Sequence, residues 1–162
     1  MTFDSYYDTI PSYVAGGWMK TEEIIAEWKK DSEIDKTELG KESLRIPQLH
    51  SKYLNEFYIG KAAYAKYNQD YKSTYKLKHQ YYQGLLSKEQ LDELGWEQQP
   101  LKILKTDIPI YLESDDDLQV IKNKIQLTEY KLEILENIIK TLNNRGFLIK
   151  NAIDWARFQN GL

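Results

Sequence analysis

The 162-residue sequence contains no cysteine, which excludes disulfides, thiolate catalysis and zinc sites built on cysteine. Only 8 glycines and 4 prolines interrupt the chain, while charged residues make up 29% of it and hydrophobic residues 41%. No hydrophobic run approaches the roughly 18 residues that a membrane span requires. The first 20 residues lack the positive start and continuous apolar core of a secretory signal. We therefore expect a helix-rich protein that neither crosses nor enters a membrane.

Residues suited to catalysis are also scarce. His50 and His79 are the only histidines, and neither has an acidic residue three or four positions away that would orient its ring. The acidic run 115–117 is compatible with magnesium, but it also fits a helix N-terminus, where the helix dipole favours negative charge. The sequence contains no phosphate-binding glycine loop and no zinc-protease or serine-hydrolase motif. We therefore predict no enzyme activity, no metal site and no cofactor.

Tyrosine, in contrast, is abundant, with 13 residues. Between residues 48 and 82 there is no proline, and aromatic residues recur three, four and seven positions apart. At about 100° per residue they fall within a stripe roughly 80° wide, which predicts a long amphipathic helix with a tyrosine seam. The seam contains Tyr53, Phe57, Tyr64, Tyr67, Tyr71, Tyr75 and Tyr82. Lys61, Lys72 and Lys76 lie beside this seam, and Lys78 lies within it.

The segment 61–82 is basic, although the whole chain has a net charge of −3. It contains five lysines and one acid, Asp70, so its local charge is five minus one, or +4. Lysines neutralise phosphates and exposed tyrosine rings stack on unpaired bases, which favours binding to single-stranded nucleic acid. The alternative is a solvated face beside packed tyrosines. If any tyrosines are exposed, we expect Tyr81 and Tyr82 at the helix end to be among them.

Capping signals predict further helices. Thr21 followed by two acids predicts a first helix. A second helix is expected over 36–45, and Pro47 should break or kink the helix just after it. Serine, glutamine and glycine at suitable positions delimit a short helix over 88–94. Residues 96–113 contain two prolines and several β-branched residues, which predicts an irregular connector or a short hairpin.

The C-terminal region has the most regular pattern in the chain. Ser114 with Asp117 forms a capping box, and apolar residues then follow a three-four repeat. The repeat consists of Leu118, Ile121, Ile125, Thr128, Leu132, Leu135, Ile139 and Leu142, and we extend its apolar set to Phe147 and Ile149. This heptad seam can pack inside one chain or against copies of itself. Its length and regularity favour self-association, so we assign these apolar residues to oligomerisation.

These patterns together predict an all-α fold of long amphipathic helices. We divide the chain into an irregular N-terminal extension (1–20), a helical DNA-binding region (21–95), a connector (96–113) and C-terminal oligomerisation helices (114–162).

Four segments, in this order along the chain, resemble segments of a known protein family. They are EWKKDSEIDKTEL (27–39), SKYLN (51–55), YKLKHQYYQG (75–84) and RGFLIKNAIDWARFQNG (145–161). Together they resemble the UvsY family, the recombination mediators of large tailed bacteriophages. The third segment is similar to the family's Leu-Lys-Ala-Arg-Leu-Asp-Tyr-Tyr-Ser-Gly string. Residues 1–20 lie outside the resemblance, and residues 85–117 match the family poorly.

The resemblance implies a non-enzymatic homo-oligomer of six or seven subunits in the cytoplasm of the infected bacterium. Such a mediator binds single-stranded DNA, loosens a coat of phage single-strand-binding protein and helps load a RecA-like recombinase of the UvsX type. The family's basic pair falls on Lys76 and on Lys78, where this chain has lysine in place of arginine. We assign nucleic-acid binding to Lys61, Lys72, Lys76, Lys78, His79, Tyr81 and Tyr82.

Two other functions stay open at this stage, a helicase-loading factor and a purely structural oligomeric phage protein. The first would prefer forked DNA to single strands, and the second would bind no DNA at low salt.

Overall fold

The computed structural model describes residues 18–99 and 102–161, and this part of the chain forms five α-helices and no β-strand. The helices are α1 (Thr21–Asp31), α2 (Leu39–Tyr82), α3 (Lys88–Leu94), α4 (Ile108–Glu113) and α5 (Asp116–Gln159). The predicted all-α fold is confirmed. Residues 1–17 of the predicted N-terminal extension lie outside the described residues.

Local sequence signals determine the ends of α2 and α3. Gly84 (φ +70°) and Gly95 (φ +68°) follow these helices in the left-handed conformation, which glycine adopts without a side-chain penalty. At the start of α3, the Ser87 hydroxyl accepts the Gln90 N–H at 3.2 Å, and the Gln90 side chain accepts the Ser87 N–H at 2.9 Å. The predicted capping box and helix over 88–94 are therefore confirmed.

The start of α5 lies near the predicted position but uses a different cap. The Asp115 carboxylate accepts the N–H of Leu118 at 3.1 Å, whereas Ser114 ends α4 and its hydroxyl donates to a carbonyl of that helix. The described residues within 96–113 contain no strand, so the hairpin considered there is wrong. Pro109 lies in the first turn of α4, where its missing N–H removes no helical hydrogen bond.

Pro47 lies inside α2, so a helix break at this position is wrong, while a kink there stays a prediction. A proline in a helix interior costs about 3 kcal/mol, because it removes a backbone hydrogen bond and crowds the preceding turn. Tertiary contacts on both sides of Pro47 offset this cost. Before it, Glu42 accepts a hydrogen bond from Arg145 at 2.6 Å, and after it Tyr53 is fully buried.

Contacts within the chain group it into two compact units. Residues 18–61 and 130–161 form one group, which we call the terminal unit, and residues 62–129 form the other, the central unit. Each unit contains part of α2 and part of α5, so the grouping follows packing and not chain order. The domain limits that we drew along the sequence stay a prediction.

The terminal unit has an apolar core formed by α1, α2 and α5. Its buried residues are Ile24, Leu49, Tyr53, Leu135, Ile138 and Leu142. Trp28 packs edge-on against Tyr53 with ring centroids 5.5 Å apart, a favoured aromatic geometry. Burying one such side chain stabilises the folded state by about 1.5 to 3 kcal/mol relative to leaving it exposed. This cluster is therefore the main apolar support of the unit.

A buried ionic network adjoins this core. The Arg145 guanidinium donates to the backbone carbonyls of Asp31 and Glu33, each at 2.8 Å, and to the Glu42 carboxylate. The Asp31 carboxylate accepts hydrogen bonds from Lys52 at 2.7 Å and from Tyr53 at 3.0 Å. Burial alone would raise the pKa of Asp31, but these two hydrogen bonds and the positive charges of Lys52 and Arg45 together outweigh it and lower the pKa. The network thus ties the C-terminus of α1 to both long helices.

The central unit has a smaller apolar core. Ile108, Leu112 and Leu118 are its buried residues, and Tyr71 and Tyr82 pack against them from α2. These contacts position the C-terminal part of α2, which carries most of the lysines predicted to bind nucleic acid.

Candidate nucleic-acid interface

Three of the predicted binding residues share one face of α2 in the central unit. Lys72 and Lys76 are exposed and His79 is half-buried. At about 100° per residue these positions fall within roughly 60° on the helix surface. Within the described residues neither ammonium forms an ion pair with a carboxylate, whereas the nearby Lys66 pairs with Asp70 at 3.0 Å. This face, Lys72–Lys76–His79, is therefore an accessible basic surface of the unit.

Lys78 lies in a different environment. Its side chain is only 9% exposed, and its ammonium lies 3.0 Å from the Asp115 carboxylate and 2.5 Å from that of Asp117. The same ammonium lies 4.3 Å from the centroid of the Trp96 ring, within the range of a cation–π contact. Lys78 thus neutralises the buried Asp115 carboxylate and the half-buried Asp117 carboxylate at the start of α5. Its position within the tyrosine seam was the sequence signal for this burial.

Tyr81 and Tyr82 are half-buried and engaged in contacts inside the central unit. The Tyr81 hydroxyl donates to the Glu97 carbonyl at 2.9 Å, and its ring packs edge-on against Trp96 with centroids 5.2 Å apart. The Tyr82 hydroxyl donates to the Asp115 carboxylate at 2.7 Å. Burial raises the pKa of Tyr82, and this hydrogen bond raises it further. Both rings therefore help to build the unit.

Lys61 belongs to the terminal unit. It is exposed, and its ammonium lies 5.3 Å from the centroid of the Phe57 ring one turn earlier on α2. Its charge is accessible, so its predicted contact with nucleic acid requires no rearrangement of the unit.

Sequence reasoning missed Tyr75 as a candidate for binding. The spacing placed it in the packed tyrosine seam, but 41% of its surface is exposed. It precedes Lys76 directly, and its ring lies nearly parallel to that of His79, at an angle of 21°. A seam roughly 80° wide has edges, and residues at an edge can face solvent when the neighbouring helix covers only the centre of the seam.

The residues predicted for oligomerisation mostly pack inside one chain. In the central unit Leu118 and Ile121 are buried and Ile125 is half-buried. In the terminal unit Ile139 is half-buried, and the buried members are Leu132, Leu135, Leu142 and Ile149. Intrachain packing, the first of the two possibilities for the heptad seam, accounts for the buried positions. Association of copies through this seam stays a prediction.

Phe147 differs from the rest of that set, because 70% of its surface is exposed. Leu148, Trp155 and Phe158 are also mostly exposed and lie on the same side of the last turns of α5, within about 100°. The rings of Trp155 and Phe158 stack with centroids 5.7 Å apart. An exposed apolar face of this kind, which we call the C-terminal apolar face, commonly marks an interaction surface.

Two other kinds of site are absent from the described residues. Across residues 18–99 and 102–161, no group of three or more His, Cys, Asp or Glu side chains is arranged to hold a metal ion. None of the helices that the structure describes is long and apolar enough to cross a membrane.

The fold and the α2 face together define an all-α protein with an accessible lysine surface of the kind that contacts nucleic-acid phosphates. A family model described as "Recombination, repair and ssDNA binding protein UvsY" matches residues 27–162. This match spans most of the chain, and the chain therefore belongs to the UvsY family.

Individual relatives agree with this assignment. The recombination protein UvsY of Enterobacteria phage T4 is 26% identical over 143 residues, which cover 88% of this chain and 99% of the T4 protein. A crystal structure of the bacteriophage T4 recombination mediator protein UvsY (lattice type II) has 25% identity and a TM-score of 0.75, covering 88% of this chain and 98% of that one. A second crystal form (lattice type I) has a TM-score of 0.72 and covers 83% and 96% of the two chains.

Proposed function

We propose that this chain is a non-enzymatic recombination mediator of a bacteriophage, which binds single-stranded DNA as a homo-oligomer. It loosens a coat of single-strand-binding protein and promotes loading of a RecA-like recombinase of the UvsX type in the cytoplasm of the infected host. Family membership supports recombination and single-strand binding as the setting. The observation that carries the proposal is the exposed Lys72–Lys76–His79 face of α2 in a chain of net charge −3.

The lysine face supports sequence-independent binding to phosphates. Lys72 and Lys76 lie four residues apart, about 6 Å along the helix axis, which is close to the spacing of adjacent phosphates in a strand. Lysine contacts release counterions from the DNA, so each contributes about 0.7 to the slope of log affinity against log salt concentration on single strands. Two such contacts per subunit bind a strand only weakly at physiological salt. The face therefore acts effectively only if several subunits hold one strand.

The C-terminal apolar face supports the required association of six or seven subunits. Its members are Phe147, Leu148, Trp155 and Phe158, each more than half exposed in the isolated chain. Burying large aromatic and aliphatic side chains between subunits is a strong driving force for oligomerisation. Once subunits are joined, the second and later lysine faces bind the same strand at high effective concentration, which multiplies weak contacts into strong overall binding.

Such an oligomer can compete with a coat protein for the strand. The phosphates of the strand exchange their contacts with the coat protein for contacts with the repeated lysine faces. The strand released from the coat then becomes available to the recombinase. Nucleotide hydrolysis belongs to the recombinase in this scheme.

The lysine face is tested by replacing Lys72 and Lys76 together with alanine. We expect weaker binding to a single-stranded oligothymidine at low salt and a salt slope smaller by about 1.4 per subunit engaged. The matched control replaces the exposed Lys88 and Lys122, which removes the same net charge from other surfaces of the central unit. Equal weakening by both pairs would refute the site, and no wild-type binding at low salt would favour a purely structural protein.

The apolar face is tested by the mass of the particle in solution. Replacing Leu148 and Phe158 with aspartate should shift the protein from an oligomer of six or seven subunits toward monomers. The control replaces the exposed Leu44 and Leu85 with aspartate. An unchanged mass for the Leu148 and Phe158 variant would place the oligomer contact elsewhere.

A further inference from the structure

We propose that Tyr75 is a base-stacking residue of the nucleic-acid interface, with the His79 ring as its support. The inference deepens the proposed function and rests on it, because it names the second part of the ligand, the nucleobase, that the Lys72–Lys76–His79 face binds in addition to phosphate.

The position of Tyr75 fits this role. It lies three residues after Lys72 and directly before Lys76, so its ring projects beside two accessible ammonium groups on the same helix. Of its surface, 41% is exposed, whereas Tyr71, one turn earlier, is half-buried and packs against the core of the central unit. A strand whose phosphates meet these two lysines can place a base against the Tyr75 ring.

The geometry holds the ring in place before DNA arrives. The Tyr75 and His79 rings are nearly parallel, with an interplanar angle of 21° and centroids 6.5 Å apart. Tyr75 also lies 6.1 Å from the Tyr71 ring, whose plane is tilted by 38° from its own. These centroid distances lie within the range of favourable aromatic pairs. Tyr71 packs against the core one turn before Tyr75, so the contacts on both turns restrict the Tyr75 side chain and little side-chain entropy is lost when a base stacks. With 41% of its surface exposed, Tyr75 stays accessible to that base.

The chemistry matches an unpaired base of any sequence. Every base has an aromatic face, so stacking on tyrosine tolerates all four bases, and neighbouring lysines satisfy the phosphates on either side. The family string quoted above has leucine at the positions of both Tyr75 and His79, so the ring pair belongs to this chain and not to the shared basic pattern.

The test compares two ligands of equal length and charge, an oligothymidine and an oligomer of abasic residues, by fluorescence anisotropy with the full-length protein. Tyr75→Leu should weaken binding to oligothymidine by roughly tenfold, the size expected for loss of one stacked base, and change binding to the abasic oligomer little. Tyr75→Phe, which keeps the ring, should bind both ligands like the wild type. Tyr58→Leu, which removes another exposed tyrosine of α2, is the matched control.

The outcomes separate the two proposals. Replacing Lys72 and Lys76 should weaken binding to both ligands, and failure of the wild type to bind either one refutes the proposed function itself. If Tyr75→Leu weakens neither ligand, or both equally, base stacking at Tyr75 is refuted while the lysine face stands.

A second measurement does not depend on a substitution that removes the ring. In wild-type protein labelled with 3-fluorotyrosine, the Tyr75 resonance, assigned with Tyr75→Phe, should shift on adding oligothymidine and stay in place with the abasic oligomer. Equal shifts with both ligands, or none with either, would overturn the inference.

Discussion

The two units differ in how they combine apolar packing with charge. In the terminal unit a six-residue apolar cluster from three helices adjoins a network in which Arg145 bonds backbone carbonyls and Glu42. In the central unit the buried cluster has only three residues, and the Lys78 ammonium between Asp115 and Asp117 supplements it. The unit with the smaller core is also the one that presents Lys72 and Lys76 to solvent.

The comparison shows that equal charges on neighbouring positions have unequal roles. Lys76 and Lys78 are two residues apart in sequence, but one is exposed and the other is 7% exposed and paired. Two residues along a helix are about 200° around its axis, so the two lysines point to opposite sides of α2. A basic pair in a sequence pattern therefore divides here into one candidate phosphate contact and one structural ion pair.

The largest effect is expected from Arg145, the centre of the network in the terminal unit. Arg145→Ala should lower the free energy of unfolding by about 3 to 5 kcal/mol, because it leaves the Glu42 carboxylate and the carbonyls at the end of α1 buried without their donor. Urea unfolding at fixed protein concentration measures this change. Arg157→Ala, at an exposed position of the same helix, is the control and should change stability little.

The next largest effect is expected from Lys78, which forms the corresponding ion pair of the central unit. Lys78→Met keeps the length and apolar packing of the side chain but leaves Asp115 and Asp117 without their cation. We expect a loss of about 2 to 3 kcal/mol in the free energy of unfolding. Lys76→Met is the matched comparison and should stay within about 0.5 kcal/mol of the wild type.

Lys76 and Lys78 should also differ in their contributions to DNA binding. Lys76→Met should lower the slope of log affinity against log salt concentration on single strands by about 0.7 for each subunit engaged, whereas Lys78→Met should leave this slope unchanged. A smaller slope for Lys78→Met would show that this ammonium leaves its carboxylates to contact phosphate.

A smaller effect is expected where helices approach closely in the terminal unit. A Cβ atom added at Gly60 would lie 2.8 Å from the Leu132 side chain and 2.9 Å from the Trp18 ring. Gly60→Ala should therefore lower the free energy of unfolding by about 1 to 2 kcal/mol through overpacking. The control is Gly40→Ala, because nothing lies within 4 Å of the Cβ position at Gly40. A stabilised Gly60→Ala protein would indicate that Trp18 moves aside at little cost.

A further prediction concerns the pH dependence of the terminal unit. Burial lowers the pKa of Lys131 to about 8 from its ordinary value of 10.5. Between these values the unfolded chain binds more protons than the folded one, so the stability difference between wild type and Lys131→Met should shift in favour of the wild type as pH rises from about 8 to 10. Subtracting the variant removes the contribution of the other titratable groups.

Chemical unfolding at several pH values measures this difference. The Lys131 ammonium lies 3.4 Å from the centroid of the Trp18 ring and donates to the Met19 carbonyl, and both contacts favour the charged form. A wild-type advantage that falls with rising pH would mean that these contacts outweigh burial.

Much of the helical structure was predictable because its signals are local. The box of Ser87 and Gln90, the glycines after α2 and α3 and the period of the heptad seam all depend on residues within about one turn of each other. The continuation of α2 through Pro47 was not predictable in this way, since the contacts of Glu42 and Tyr53 that support it come from residues distant in sequence.

The sequence likewise predicted only part of the candidate site. Spacing alone placed Lys72 and Lys76 beside the tyrosine seam and Lys78 within it, and the structure agrees with all three placements. Spacing did not reveal that Tyr75 is exposed while Tyr81 and Tyr82 are held by Glu97 and Asp115. Those facts depend on which neighbouring element covers each side of α2.

The amino-acid sequence by itself determined that this protein is helical, where α1 begins, where α2 ends, both ends of the short α3, and which residues of α2 carry positive charge, because these properties arise from backbone geometry and side chains close together in the chain. Only the tertiary structure decided that Lys78 neutralises Asp115 and Asp117, that most of the heptad seam is covered by the chain's own helices, and that Phe147 and Tyr75 face solvent. Burial is a property of contacts between distant segments, and a periodic pattern specifies a face without specifying what lies against it.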